Sequence, residues 1–235
     1  MANFNVRGGL GTQIISVMMA YAIAHEYNEK VEKIYFNVGN YSNPLTKDIN
    51  IWFLDDIITY KSPHIFGFSK PPEIIPVIGQ NKIDISDPRH IKTLARHINV
   101  VRKQLKTKMF IQNRRTVLHM RGLDRALVPK YVYDKVRDIE NPGLILSDDD
   151  RLMKVTGNDA VSDWKQILCS KRVIGGYSNY TISSALLNPK QSLEIIGREH
   201  SLGKGGHMVW KVVDRLVDNF PNIKYYEEPK QKLKK

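Results

Sequence analysis

Cysteine is almost absent from this chain. Cys169 stands alone among 235 residues, which excludes an internal disulfide framework and leaves no thiolate cluster to hold a metal. Long apolar runs are missing as well, since none approaches the ~18–20 residues needed to span a bilayer. Met1 to Gly9 is polar and turn-like, without the basic-then-apolar pattern of a secretory signal. There are no internal repeats and no low-complexity segments, which excludes repeat architectures. The expectation from these absences is a soluble protein of a reducing cytoplasm, with no transmembrane segment.

Positive charge, by contrast, is abundant. The formal net charge is +12, a balance that favours anionic partners such as nucleic acid, membrane surfaces, phosphate-bearing ligands or acidic glycans. The densest stretch holds Arg89, Lys92, Arg96, Arg102, Lys103, Lys106, Lys108, Arg114 and Arg115, and four lysines close the chain. A solvated helix face and a frayed tail are the ordinary reading of both, so charge alone does not pick a partner. With 42% hydrophobic and 26% charged residues, the composition is that of a globular protein large enough for a sizeable core.

The patterning predicts an α/β protein. Phe4 to Val6 reads as a strand. The glycine turn Gly8-Gly9-Leu10-Gly11 and a helical run from Ile14 to Ala24 follow it, then a second strand from Lys33 to Val38. That β-α-β order implies a parallel sheet. Residues 41–85 are broken by prolines and predict only short irregular pieces. Asp87-Pro88 opens a helix in which Ile91, Leu94, Ile98, Val101 and Leu105 keep helical spacing. From residue 115 strand and helix alternate again: strands at 116–120, 144–146, 172–176 and 223–226, helices at 129–137, 159–169, 182–187 and 207–219. The prolines and the basic helix mark a boundary near 110–115. The expected architecture is therefore two facing doubly wound domains, 1–114 and 115–235, with a cleft between them.

Four polar clusters follow predicted strands, where ligands bind open parallel sheets. The first is Gly8-Gly9-Leu10-Gly11-Thr12-Gln13. Glycines let backbone approach a ligand closely, and the helix start behind them offers free N–H groups to a phosphate. It is neither a dinucleotide fingerprint, since Ile14 takes the last glycine position, nor a Walker loop. The second is His119-Met120-Arg121-Gly122-Leu123-Asp124, in which Arg121 can clamp a diphosphate, His119 adds a donor and Asp124 can orient Arg121. The third is Ser147-Asp148-Asp149-Asp150, whose carboxylates suit a divalent metal or, equally, a helix start. The fourth, Ser178-Asn179-Tyr180-Thr181-Ile182-Ser183, gathers hydroxyls and N–H groups at a helix N-terminus, as a phosphate cradle or an ordinary N-cap. Taken singly, none of the four decides a function. Cys169 reads as a small buried hydrophobe, and the other histidines show no ligand spacing.

In order and spacing these clusters resemble the α-1,2-fucosyltransferase family of GT-B glycosyltransferases, over about residues 5–27 and 116–188. The family's G-G-L-G-N-Q loop is similar to Gly8–Gln13, its H-x-R-x-x-D motif to His119, Arg121 and Asp124, and its S-D-D to Ser147-Asp148-Asp149. An Asp…Cys segment before an S-N-S-T-F-S stretch is similar to Asp163, Cys169 and Ser178–Ser183. The resemblance implies a two-domain GT-B fold that uses GDP-fucose and transfers with inversion to an oligosaccharide or other glycan acceptor, without an obligatory metal. It implies catalytic roles for Arg121 and His119 in neutralising the departing GDP, with Asp124 as a weak candidate base. It implies donor binding by Gly9, Gly11, Gln13, Asp148, Asp149, Ser178, Asn179, Thr181 and Ser183. Thr12 stands where the family loop has asparagine, Gly122 replaces its second arginine and Tyr180 a serine, while Ser184 and Ala185 replace paired tryptophans. A GDP-sugar other than fucose, such as rhamnose, therefore stays open.

Three competing expectations remain. A transferase dependent on Mg²⁺ or Mn²⁺ and a UDP-sugar would use Asp148 to Asp150. A catalytically dead sugar-binding relative would keep the motifs and lose the chemistry. A nucleic-acid-binding protein would use the basic stretch, but residues 89–109 contain no aromatic to stack on bases, so no nucleic-acid partner is expected.

Overall fold

A computed structural model describes residues 2–6, 10–36, 59–61, 85–105, 113–121, 128–147, 160–198 and 206–228. The chain begins with a three-stranded parallel sheet, β1 (Ala2–Val6), β2 (Val31–Phe36) and β3 (Thr59–Lys61), in the order β1-β2-β3. Helix α1 (Leu10–Glu26) connects β1 to β2. It is buried on nearly all sides, from Leu10 to Ala24 with only Thr12 and Tyr21 partly open. A helix apolar all round must be covered all round. Here its own sheet contacts it, and so do two helices from later in the chain. Asn28 takes a left-handed conformation (φ 55°) in the turn to β2, a position that asparagine tolerates better than most residues.

Helix α2 (Pro88–Gln104) starts on strong local signals. The Asp87 carboxylate accepts the Arg89 backbone N–H at 2.9 Å, and Pro88 occupies a position where a missing N–H costs nothing. Its apolar stripe of Ile91, Leu94, Ile98 and Val101 is buried, as expected from spacing.

The second sheet holds five parallel strands: β4 (Asn113–Met120), β5 (Leu144–Ser147), β6 (Ser170–Gly175), β7 (Ser192–Ile195) and β8 (Ile223–Tyr225), ordered β5-β4-β6-β7-β8. Four helices link them in turn: α3 (Lys130–Glu140), α4 (Ala160–Leu168), α5 (Asn179–Leu187) and α6 (Gly206–Asn219). From β4 the chain steps outward to β5, then crosses back to β6 and continues to β8. Right-handed crossovers put α3 on one face and the other three helices on the opposite face when the direction reverses. The core divides accordingly. Leu118, Met120 and Ile174 pack with Val132, Tyr133 and Val136 of α3. Val117, Val173, Leu193 and Ile223 pack with Trp164, Ile182, Leu186 and Val213 on the other side. This is a doubly wound α/β arrangement.

The second core does not stop at α4–α6. Helix α1 lies on α5, α2 lies on α1 and α6, and their apolar residues belong to the same buried cluster. Arg102 donates from Nε to the Leu186 carbonyl at 2.7 Å, capping the end of α5, and Arg215 reaches the Ser86 carbonyl at 2.9 Å. The described parts of 1–114 and 115–235 thus share one core.

Strand β7 carries no sequence signal strong enough to predict it. It reads Ser-Leu-Glu-Ile, and Glu194 is buried. Arg172 on β6 answers that charge with paired bonds to Glu194 (2.9 and 2.6 Å), while also binding Glu140 of α3. Lys224 on β8 adds a third contact at 3.3 Å. A buried carboxylate with such partners is tolerable in a sheet, but the partners are 22 residues or more away. The irregular pieces expected over 41–84, apart from β3, lie outside the described residues.

Candidate functional site

Strands β4 and β6 are neighbours, yet the chain leaves them in opposite directions: from β4 outward to β5, from β6 onward to β7. At such a switch point the following loops part, and a crevice opens beyond the carboxyl ends of the two strands. Two of the sequence clusters sit there. His119 and Arg121 end β4, and Gly175 to Ser178 lead from β6 into α5.

Arg121 is held from two sides. Its Nη1 donates to Ser178 Oγ at 3.0 Å, and its backbone N–H donates to the Tyr133 hydroxyl at 3.2 Å. Ser178 is the N-cap of α5 and also accepts the Tyr180 backbone N–H at 3.2 Å. Tyr133 reaches the crevice from α3, on the far face of the sheet, because residue 176 has no side chain. A Cβ on Gly176 would lie 2.7 Å from the Tyr133 hydroxyl.

The glycine loop's helix completes the group. A Cβ on Gly11 would come within 2.4 Å of Asn179 C and Tyr180 N, so the first turn of α1 rests directly on the first turn of α5. Asn179 Nδ2 donates to Thr12 Oγ1 at 2.9 Å across the same contact. Two helix N-termini therefore converge beside an arginine. Each carries partial positive charge and backbone N–H groups that the helix itself does not use.

Two buried atoms here have no hydrogen-bond partner among the described residues, His119 Nδ1 and Asn179 Oδ1. Buried polar atoms are normally satisfied, so these two, one at the end of β4 and one in the first turn of α5, stand out. The His119 ring is 5% exposed and stacks on Tyr180, centroids 5.5 Å apart. Burial, and then the neighbouring Arg121 charge, push its pKa down to about 3. The imidazole is consequently neutral at physiological pH, and positive charge comes from Arg121 and the helix ends. His119 offers a ligand a neutral hydrogen bond.

That burial has a measurable cost in acid. The folded pKa lies below the unfolded value of 6.5, so the unfolded chain takes up the proton first and stability falls as pH drops from about 6.5 towards 3. Between pH 7 and pH 4 the wild type should lose about 3 kcal/mol more than His119→Gln. Urea denaturation of both proteins at the two pH values measures this. Parallel losses would mean that His119 is not desolvated.

The other expected site residues divide. Gln13 is buried in the first turn of α1. Thr181 and Ser183 are fully buried, with hydroxyls engaged inside the fold: Thr181 Oγ1 donates to the Ser178 carbonyl at 3.1 Å, and Ser183 Oγ donates to the Tyr180 carbonyl at 2.8 Å and accepts Trp164 Nε1 at 3.0 Å. The hydroxyl cradle is thus largely helix capping and core, and Ser178 and Asn179 are the members that meet the crevice. Ser147, the last residue of β5, pairs in register with Met120, so β5 ends at the same edge of the sheet as β4. Asp148, Asp149, Asp150, Asp124 and Gly9 themselves lie outside the described residues. Tyr133 and Gly176 are members that sequence reasoning does not select, and Tyr180 stands in the fourth cluster with no role expected of its ring. Nothing local marks them, because their roles arise from the approach of α3 and α1.

Among the described residues no three His, Cys, Asp or Glu side chains gather as metal ligands, and no helix is long and apolar enough to cross a membrane. The fold and site are those of an α/β protein with a doubly wound parallel sheet and a positively biased crevice at its switch point. Comparison with protein-family models, with curated proteins and with solved structures returned no match.

Proposed function

We propose that this chain is an inverting glycosyltransferase that moves a sugar, fucose in the first instance, from a GDP donor to a hydroxyl of a carbohydrate acceptor. One observation carries the reading. Three motifs distant in sequence, the Gly11–Gln13 turn, His119/Arg121 and Ser178/Asn179, meet at one crevice and surround two orphaned polar atoms. These are the segments that resemble the fucosyltransferase family, and their chemistry suits a diphosphate.

In this reading the diphosphate lies against the N-termini of α1 and α5 with Arg121 on its oxygens. The acceptor oxygen attacks the anomeric carbon as the bond to the diphosphate breaks, and negative charge grows on the leaving oxygen. Arg121 and the two helix ends are fixed where that charge develops, which is the main source of catalysis for such a transfer. His119 contributes a neutral hydrogen bond and is not the base. Asp124 takes the acceptor proton, Asp148 and Asp149 select guanosine, and residues 1–114 form the acceptor side of a two-domain GT-B arrangement. No metal is required.

Calorimetric titration with GDP, GDP-fucose, GDP-mannose and UDP-glucose, with and without EDTA, tests this reading. Chelator-insensitive binding of the guanosine compounds is the expected result. Binding of UDP-glucose only in the presence of Mg²⁺ or Mn²⁺, or of no nucleotide at all, would remove the proposal.

A further inference from the structure

Arg121 is one cation among many in a chain of net charge +12, and the fold concentrates part of the rest on another surface. On α2 the residues opposite the buried stripe are Arg89, Lys92, Arg96, Asn99 and Lys103, all exposed. Steps of three and four residues place them along one side of the helix, a line about 21 Å long at 1.5 Å per residue. Arg89 and Arg96 pair with Asp87 and Glu26 yet keep 81% and 62% of their side-chain surface in water. Lys92 and Lys103 make no ion pair among the described residues. Beside the helix start is Tyr27, the most exposed large hydrophobic of the described chain at 65% and within electrostatic reach of Arg89. Helix α2 itself contains no acidic residue to neutralise the line.

We propose that this face of α2 docks the protein peripherally on an anionic phospholipid bilayer, with the cationic line on the headgroups and the Tyr27 ring at the interface. A straight line of cations on a convex helix matches a flat anionic sheet, and tyrosine is favoured at the headgroup level because its ring is apolar and its hydroxyl polar. Tyr27 is the one aromatic beside the stripe, and α2 itself has no Phe, Tyr or Trp, whereas a single-stranded nucleic acid is held by successive aromatics interleaved with the cations. Docking here leaves the crevice open. Arg102 of α2 meets the C-terminal end of α5 at Leu186, whereas the crevice lies at the N-terminal end of that helix. Membrane docking is therefore independent of what the crevice binds.

Sedimentation with vesicles of phosphatidylcholine alone, and of phosphatidylcholine mixed with phosphatidylglycerol, tests the surface in low and in raised salt. Wild-type protein should pellet with the anionic vesicles only and be released by salt. Lys92→Ser combined with Lys103→Ser should weaken that binding about thirtyfold, the effect of removing two charges near the surface. Both side chains are exposed, so an unchanged melting temperature confirms that the variant is folded. Equal capture by neutral vesicles, no capture by anionic ones, or undiminished binding by the folded double variant would each overturn the proposal. So would tight, stripe-dependent binding of polyuridylate at a salt concentration that releases the vesicles, since the surface would then belong to a nucleic acid.

Discussion

Replacing Arg121 with alanine should lower affinity for GDP about 100-fold, the loss of a charge-assisted pair of hydrogen bonds to a diphosphate in a partly buried site. The same change should leave folding stability within about 1 kcal/mol of wild type, because its backbone N–H still bonds to Tyr133 and Ser178 still caps α5. Arg121→Lys separates charge from geometry. A lysine keeps the charge and loses the planar fork, so affinity should recover only in part. Calorimetry on the three proteins, beside a urea titration of each, reads both quantities. Unchanged GDP affinity in Arg121→Ala would place the anion somewhere else, and the glycosyltransferase reading would lose its leaving-group clamp.

Gly11→Ala is expected to act on stability and on binding together. The added methyl would fall 2.4 Å from the backbone of Asn179 and Tyr180. Those atoms are the first turn of a buried helix, so they cannot swing aside as a flexible side chain would. The two helices must part, at a cost of about 3 kcal/mol, and the parting breaks the Thr12–Asn179 bond at the crevice. Thr12→Val removes that bond without the clash and should cost about 1 kcal/mol. Urea midpoints of the two variants distinguish the effects. Gly11→Ala of wild-type stability would mean that α1 does not rest on α5. The glycine was first legible as a residue that lets a ligand approach. In the fold it lets another helix approach, and the ligand's place is beside that contact.

Much of the secondary structure was legible because it rests on local chemistry. Asp87-Pro88 and the spacing from Ile91 to Leu105 predict α2, and the structure has it there with the expected cap. The helical spacing from Ile14 to Ala24 predicts α1, and the structure has it at Leu10–Glu26. Strand β7 was not legible, since Glu194 is acceptable only with Arg172 and Lys224 beside it. Helix α5 starts at Asn179, three residues before the apolar run at 182–187 predicts. Thr181, Ser183 and Ser184 look like ligand groups in sequence, but each bonds back to the carbonyl three residues earlier, a habit of hydroxyls inside helices. His119 reads in the sequence as a second hydrogen-bond donor beside Arg121; that burial keeps its ring neutral is not written in the residues around it.

The sequence by itself determined the α/β class, the helix that begins at Asp87-Pro88, the excess of positive charge and the identity of the groups that can meet an anion. All of these depend on residues within a few positions of one another, where periodicity, caps and turn preferences act. Only the tertiary structure decided that β4 and β6 are neighbours, that α1 and α5 present their N-termini to the same crevice, and that Tyr133 enters it from the opposite face. Those arrangements follow from the direction of each crossover and from one core shared between the two halves of the chain. Both are set by packing among residues far apart in sequence, which no local pattern encodes.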